Sequence, residues 1–205
     1  MNHVFVDSGR AQGIKQAYLD VLGREADFGG LENYYNSALS VDQVRLVLAE
    51  SPEGKGRIRR DQQIIEMVEP WLGIGALTSP TSISKAIELG FNRVIYLRED
   101  EEIRALLPEG SLYFPLQPGE TPSTGLVVDC ITALKAWEVD DSRVLICCPD
   151  GMTQSPAIVW LWYHHNGLDP DDALMIIKSR VEGVSPEALR LGPWHFDAAL
   201  TLESF

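Results

Sequence analysis

The sequence predicts an α/β protein: a central, mostly parallel sheet flanked by helices, preceded by a small all-α domain. Three observations predict it. From Trp71 onward short apolar runs alternate with stretches of helical periodicity, the order that covers a sheet on both faces. Up to residue 62 the apolar residues recur at helical spacing. Finally, residues 144–155, VLICCPDGMTQS, read as a strand, a tight loop with one glycine, and the start of an apolar helix. The expected domains are residues 1–62 and 63–205.

In the first domain Ser8 is placed to cap a helix in which Ile14, Ala17, Tyr18, Val21 and Leu22 share a face, with Gly23 at its end. Residues 27–30 (DFGG) are turn chemistry, and Leu31, Tyr34, Tyr35 and Ala38 suggest a second short helix. Ser40 with Gln43 is a capping-box pair for a third helix carrying Val44, Val47 and Leu48, which residues 51–54 (SPEG) stop. Residues 55–60 (KGRIRR) form a basic cluster, read as a solvated linker or as the start of a helix through Ile64, Ile65 and Met67. The other reading is a contact for an acidic partner or ligand.

In the second domain strands are expected at 71–75, 93–97, 112–116 and from Val144. Helices are expected at 81–90, 99–107 and 124–137 between them, and at 156–163 and 171–182 after the loop, with one last helix in 186–205. The 156–163 segment is apolar nearly all round, so it belongs at the centre of the domain.

The strand–loop–helix unit carries the chemistry. Such a loop aims backbone N–H groups and the positive end of a helix dipole at one point, which suits an anion and draws a thiol at its mouth toward thiolate. Cys148 sits there, with Pro149, Asp150, Gly151, Met152, Thr153, Gln154 and Ser155 as the lining. Asp150 acts against both an anion and a thiolate. Cys147 and Cys148, as strand neighbours, point to opposite faces and do not make an easy bridge.

The loop resembles that of the cysteine-dependent protein phosphatases in their dual-specificity branch, H-C-x-x-G-x-x-R-S. Nucleophile, glycine and serine match at Cys148, Gly151 and Ser155; Cys147 stands for the histidine and Gln154 for the arginine. The order of elements over most of residues 70–205, and the run from Ala173 through Lys178 and Arg180 to Pro186, resemble the same family. The resemblance implies the phosphatase fold, Cys148 as nucleophile and Ser155 as the hydroxyl beside it. The family's acid follows a strand resembling I-P-x-x-D, where this chain has Pro118; Glu120 lies nearby as the substitute. His164 and His165, on the apolar helix, are an alternative source of a base. The motif of residues 17–31, with the later 51–53 (SPE), resembles a bacterial helical domain of unknown function. That domain is seen in surface-layer and secreted calcium-binding proteins, so a bacterial or phage source is implied, with a binding or assembly role through residues such as Leu31 and Tyr34.

Composition bounds the partners. The 205 residues carry a net charge of −13, which argues against nucleic acid. No apolar segment is long enough for a membrane span, and the first residues lack a signal-peptide pattern, so a cytoplasmic protein is expected. Cys130, Cys147 and Cys148 make neither a disulfide framework nor a zinc pattern, and no metal or cofactor is implied. The expectation is a degenerate phosphatase-like protein that binds a phosphorylated or anionic ligand, or a partner protein, at the Cys148 loop without efficient catalysis. The alternatives are an atypical active phosphatase working through a phosphocysteine, and an adaptor working through the N-terminal helices.

Overall fold

The computed structural model describes residues 9–201, so the predicted Ser8 cap lies outside the described residues. The chain divides into two compact units, Met1–Ile58 and Arg59–Phe205.

The first unit holds α1 (Gly9–Leu22), α2 (Phe28–Tyr35), α3 (Val41–Glu50) and the start of α4 (Pro52–Gln62). Ile14, Ala17, Tyr18, Leu22, Leu31, Val44 and Leu48 form its core, as their spacing requires. The residues read as a turn at 27–30 instead open α2: Asp27 caps it, its carboxylate accepting from Gly30 N at 2.8 Å. Ser40 and Gln43 make the expected reciprocal cap on α3. Residues 51–54 do not simply stop the chain. The Ser51 hydroxyl donates to Leu48 O at 2.5 Å and accepts from Gly54 N at 3.1 Å, closing α3 and opening α4 in one residue. A Cβ on Gly54 would stand 2.2 Å from Leu48 O, so only glycine lets the two helices meet this closely. Arg24 grips Glu53 through two N–H groups, at 2.5 and 2.9 Å, which ties the first motif to the second.

The second unit is a five-stranded sheet in the order β1-β2-β5-β3-β4. The strands are β1 (Ile65–Met67), β2 (Leu72–Gly75), β3 (Arg93–Tyr96), β4 (Leu112–Tyr113) and β5 (Val144–Cys147). All pairings are parallel except β1 with β2. The helices are α5 (Pro80–Glu88), α6 (Glu101–Arg104), α7 (Thr124–Val139), α8 (Gln154–His165), α9 (Pro170–Arg180) and α10 (Pro193–Leu200). This is the predicted α/β class with a mostly parallel sheet covered on both faces. All four residues of β5 are buried, as a central parallel strand requires. Val144 and Ile146 face a core with Ile131, Leu134, Ile158 and Ile177, while Leu145 and Cys147 face Ile83, Phe91 and Ile103. Cys148 belongs to the first core and Cys147 to the second, and both are free thiols.

Three local expectations are corrected. Ile65 and Met67 lie in β1, not in a helix: Gln63 adopts φ 52°, which ends α4, and the open edge of β2 takes up the segment at Ile65↔Gly75 and Met67↔Gly73. The 112–116 strand shrinks to two residues because Pro115 has no N–H to donate; Phe114 N makes the last bond, to Tyr96 O at 2.9 Å. The 99–107 helix is a single turn capped by Asp100. Among the described residues no helix is long and apolar enough to cross a membrane.

Candidate anion-binding loop

The loop hangs from the C-terminal end of β5, between Gly75 and Tyr96, the residues paired with Cys147 on either side. Cys148 N reaches Gly75 O at 3.3 Å and the side chain is 1% exposed. Gly151 turns the chain with φ 66°, and a Cβ there would meet the Gly75 carbonyl carbon at 3.1 Å and Ala76 N at 3.2 Å. Any side chain would push the loop off the sheet. The loop then enters α8, whose N-terminus has no side-chain cap. The N–H groups of its first turn therefore have no capping side chain to accept from them.

The predicted lining is brought together, with its donors partly spent. Asp150 Oδ1 accepts from Met152 N at 2.9 Å and stands 3.6 Å from the Cys148 sulfur. Gln154 is fully buried, and its Nε2 donates to Gln117 O at 2.8 Å and to Glu120 O at 3.0 Å. Both N–H groups of the amide thus clamp the 117–120 loop to α8, while Gln154 Oε1 is buried without a hydrogen-bond partner. Ser155 is buried as well, and its hydroxyl and backbone N–H act on the Cys148 sulfur, where they favour thiolate. Glu120 is exposed, and its carboxylate accepts from Gln117 N at 2.8 Å, so it is engaged within its own turn. His164 and His165 lie at the far end of α8, about 15 Å along a helix of this length. Their rings are held by Leu168 O and Ala199 O.

The electrostatics correct one expectation. The helix dipole was expected to draw Cys148 toward thiolate; instead burial, followed by the Asp150 carboxylate, pushes the thiol above its ordinary range against the help of Ser155. Burial raises Cys130 and Cys147 as well. Below about pH 8.5, the ordinary thiol value, all three are protonated in folded and unfolded chains alike, and this contribution to stability is complete. As pH rises past that value the unfolded chain gives up protons that the folded chain keeps, and stability falls. The expected loss is up to about 1.4 kcal/mol per pH unit for each thiol, seen as a falling urea midpoint between pH 8 and 10 under reducing conditions. In the folded protein at pH 7.5, iodoacetamide should modify Cys148 far more slowly than a free thiol; rapid alkylation there would contradict the burial argument.

Arg59 and Arg60 were legible only as members of the basic cluster at residues 55–60, and Arg98 went unread in the sequence. Arg59, from α4, is 5% exposed; it pairs with Glu66 and donates Nε to the Asp150 carbonyl at 3.3 Å, bracing the loop from behind. Beside the loop lies a cleft of about 410 Å³ lined by Arg60, Arg98, Glu99, Leu116, Pro118 and Pro149, with Gln117. Arg98 directly follows the C-terminal end of β3 by two residues, and the rule that ligands gather outside the carboxyl ends of parallel strands was the signal for it.

No protein-family model matches the chain, and no curated sequence is significantly similar to it. Solved structures do match. Tk-PTP in its active form superposes with a TM-score of 0.53 at 17% identity, over 68% of this chain and 95% of that one. A mouse protein assigned as a dual specificity phosphatase, in complex with zinc tungstate, gives 0.52 at 18%, over 68% and 89%. PTPMT1 in complex with PI(5)P gives 0.52 at 13%, over 67% and 92%. About two thirds of the chain, with the Cys148 loop at the carboxyl end of its central strand, therefore carries the fold of the protein-tyrosine and dual-specificity phosphatases.

Proposed function

We propose that this protein binds a phosphorylated or otherwise anionic ligand at the Cys148 loop and does not hydrolyse phosphomonoesters efficiently. The observation that carries the reading is the engagement of Gln154. At the position where the resemblance expects an arginine, a neutral amide gives both N–H groups to the carbonyls of Gln117 and Glu120. It has no donor left for the equatorial oxygens of a phosphoryl group. Losing one oriented donor of that kind costs on the order of 10²–10³ in rate. The raised Cys148 thiol and the engagement of Glu120 within its own turn weaken attack and leaving-group protonation further.

Binding needs less than turnover does. The start of α8 has no side-chain cap, so its first backbone N–H groups are available to an anion, and the Ser155 hydroxyl stands beside the Cys148 sulfur at the same loop. A protein of the same fold has been crystallised in complex with PI(5)P, a phosphorylated ligand.

The discriminating experiment pairs two measurements on the wild type. Hydrolysis of p-nitrophenyl phosphate should stay within a factor of a few of the Cys148→Ser background. Inorganic phosphate or tungstate at millimolar concentration should raise the melting temperature by mass action. Brisk turnover abolished by Cys148→Ser would establish the alternative, an active phosphatase working through a phosphocysteine; no thermal shift with either anion would remove the site.

A further inference from the structure

We infer that the cleft beside the loop is a second anion subsite, so that the ligand is a small organic molecule carrying two anionic groups, one of them a phosphate. This rests on the loop reading above and goes beyond it by naming the ligand class. The protein has a net charge of −13, and most of its arginines are occupied. Most of those elsewhere hold carboxylates or backbone carbonyls, as at Arg24, Arg59, Arg93, Arg104, Arg143 and Arg180, and Arg190 is exposed to water. Arg60 and Arg98 are different: among the described residues neither side chain has a hydrogen bond or carboxylate partner, both are half-buried, and both line the same cleft of about 410 Å³.

Two guanidinium groups partly withdrawn from water without counter-charge are costly, and an anion between them offsets that cost. Glu99 also lines the cleft, leaving two positive charges against one negative; its carboxylate is exposed and accepts from Gln117 Nε2 at 3.1 Å. The planar fork of arginine suits a phosphate or a carboxylate in particular. Leu116, Pro118 and Pro149 supply apolar wall for a carbon frame, and the volume is that of a small-molecule site. Pro149 directly follows Cys148, and the 117–120 loop on the other side is the one Gln154 clamps to α8. A molecule with its phosphate on the loop therefore has its remaining atoms next to the cleft. The basic cluster at residues 55–60 acquires a role through Arg60, which its sequence alone left between a solvated face and a ligand contact.

The test compares inorganic phosphate, which reads the loop alone, with fructose 1,6-bisphosphate, which reads both subsites, by calorimetry on the full chain. The wild type should bind the bisphosphate at least tenfold tighter than phosphate, with the preference shrinking as salt rises. Arg60→Ala/Arg98→Ala should bring the bisphosphate down to within threefold of phosphate while phosphate itself changes little; the melting temperature of the variant, read alongside, reports that it is folded. Because neither arginine holds a structural partner, the fold should survive, and Arg60→Lys/Arg98→Lys should recover part of the preference. Phosphate binding without any preference for the bisphosphate, or a preference that survives the double substitution, overturns the second subsite and leaves the loop reading standing. Absence of binding by either probe to the wild type overturns both.

Discussion

Gln154→Arg is expected to raise p-nitrophenyl phosphate turnover on the order of 10²–10³ over the wild type and to tighten phosphate binding in parallel. The geometry gives the reason. The carbonyls of Gln117 and Glu120 now accept from the amide at 2.8 and 3.0 Å. A guanidinium has five N–H donors, so it can satisfy both carbonyls and still present a second edge to a phosphoryl group. The gain should stop well short of an efficient enzyme, since the thiol stays raised by burial and by Asp150. Adding Asp150→Ala should therefore raise turnover again and shift its alkaline dependence to lower pH. The check is steady-state kinetics on Gln154→Arg, with Gln154→Arg/Cys148→Ser as the background. A folded Gln154→Arg that neither binds phosphate more tightly nor turns over faster would mean that the loop has lost the geometry for an anion.

Arg59→Ala is expected to cost about 3 kcal/mol of stability, the lower end of what removing one partner of a buried pair costs. Arg59 is 5% exposed, and its side chain spans the Glu66 carboxylate and the Asp150 carbonyl. Its removal leaves a partly covered carboxylate without counter-charge and takes a donor from the loop. Glu66, with 27% of its side chain exposed, recovers some hydration, which keeps the cost from the upper end of the range. Arg59→Met keeps the apolar stem and should cost less, and Arg59→Met/Glu66→Leu less still, because a well-packed apolar pair replaces a buried ionic one at little penalty. Urea denaturation of the three variants measures the series. An Arg59→Ala within 0.5 kcal/mol of the wild type would show that water, not the protein, solvates this pair. Because Arg59 braces Asp150, the same substitution should weaken phosphate binding even under conditions where the variant is fully folded.

Much of the architecture was legible because it is written locally. The Ser40–Gln43 cap, the apolar strand at Val144 ending in a cysteine, and the all-round apolar α8 each announce themselves within a dozen residues. Where reading failed, the deciding partner was remote. Ile65 and Met67 carry apolar spacing that fits either period, and they became a strand because β2 offered an edge. Residues 27–30 looked like a turn because two glycines follow Asp27; the Asp27 carboxylate turned them into the first turn of α2.

The site divides along the same line. Sequence alone determined that a thiol would stand at the mouth of a glycine loop feeding a buried helix, since strand, turn and helix start follow from side chains adjacent in the chain. It also placed a neutral amide, Gln154, where the resemblance expects an arginine. Only the tertiary structure decided what that amide does, because its two carbonyl partners lie 37 and 34 residues earlier. Only the fold brought Arg59 against a loop residue 91 positions away and opened the Arg60–Arg98 cleft beside Pro149. It likewise set the thiol above its ordinary range, because burial depends on every element packed around a group and local pattern carries no record of those elements.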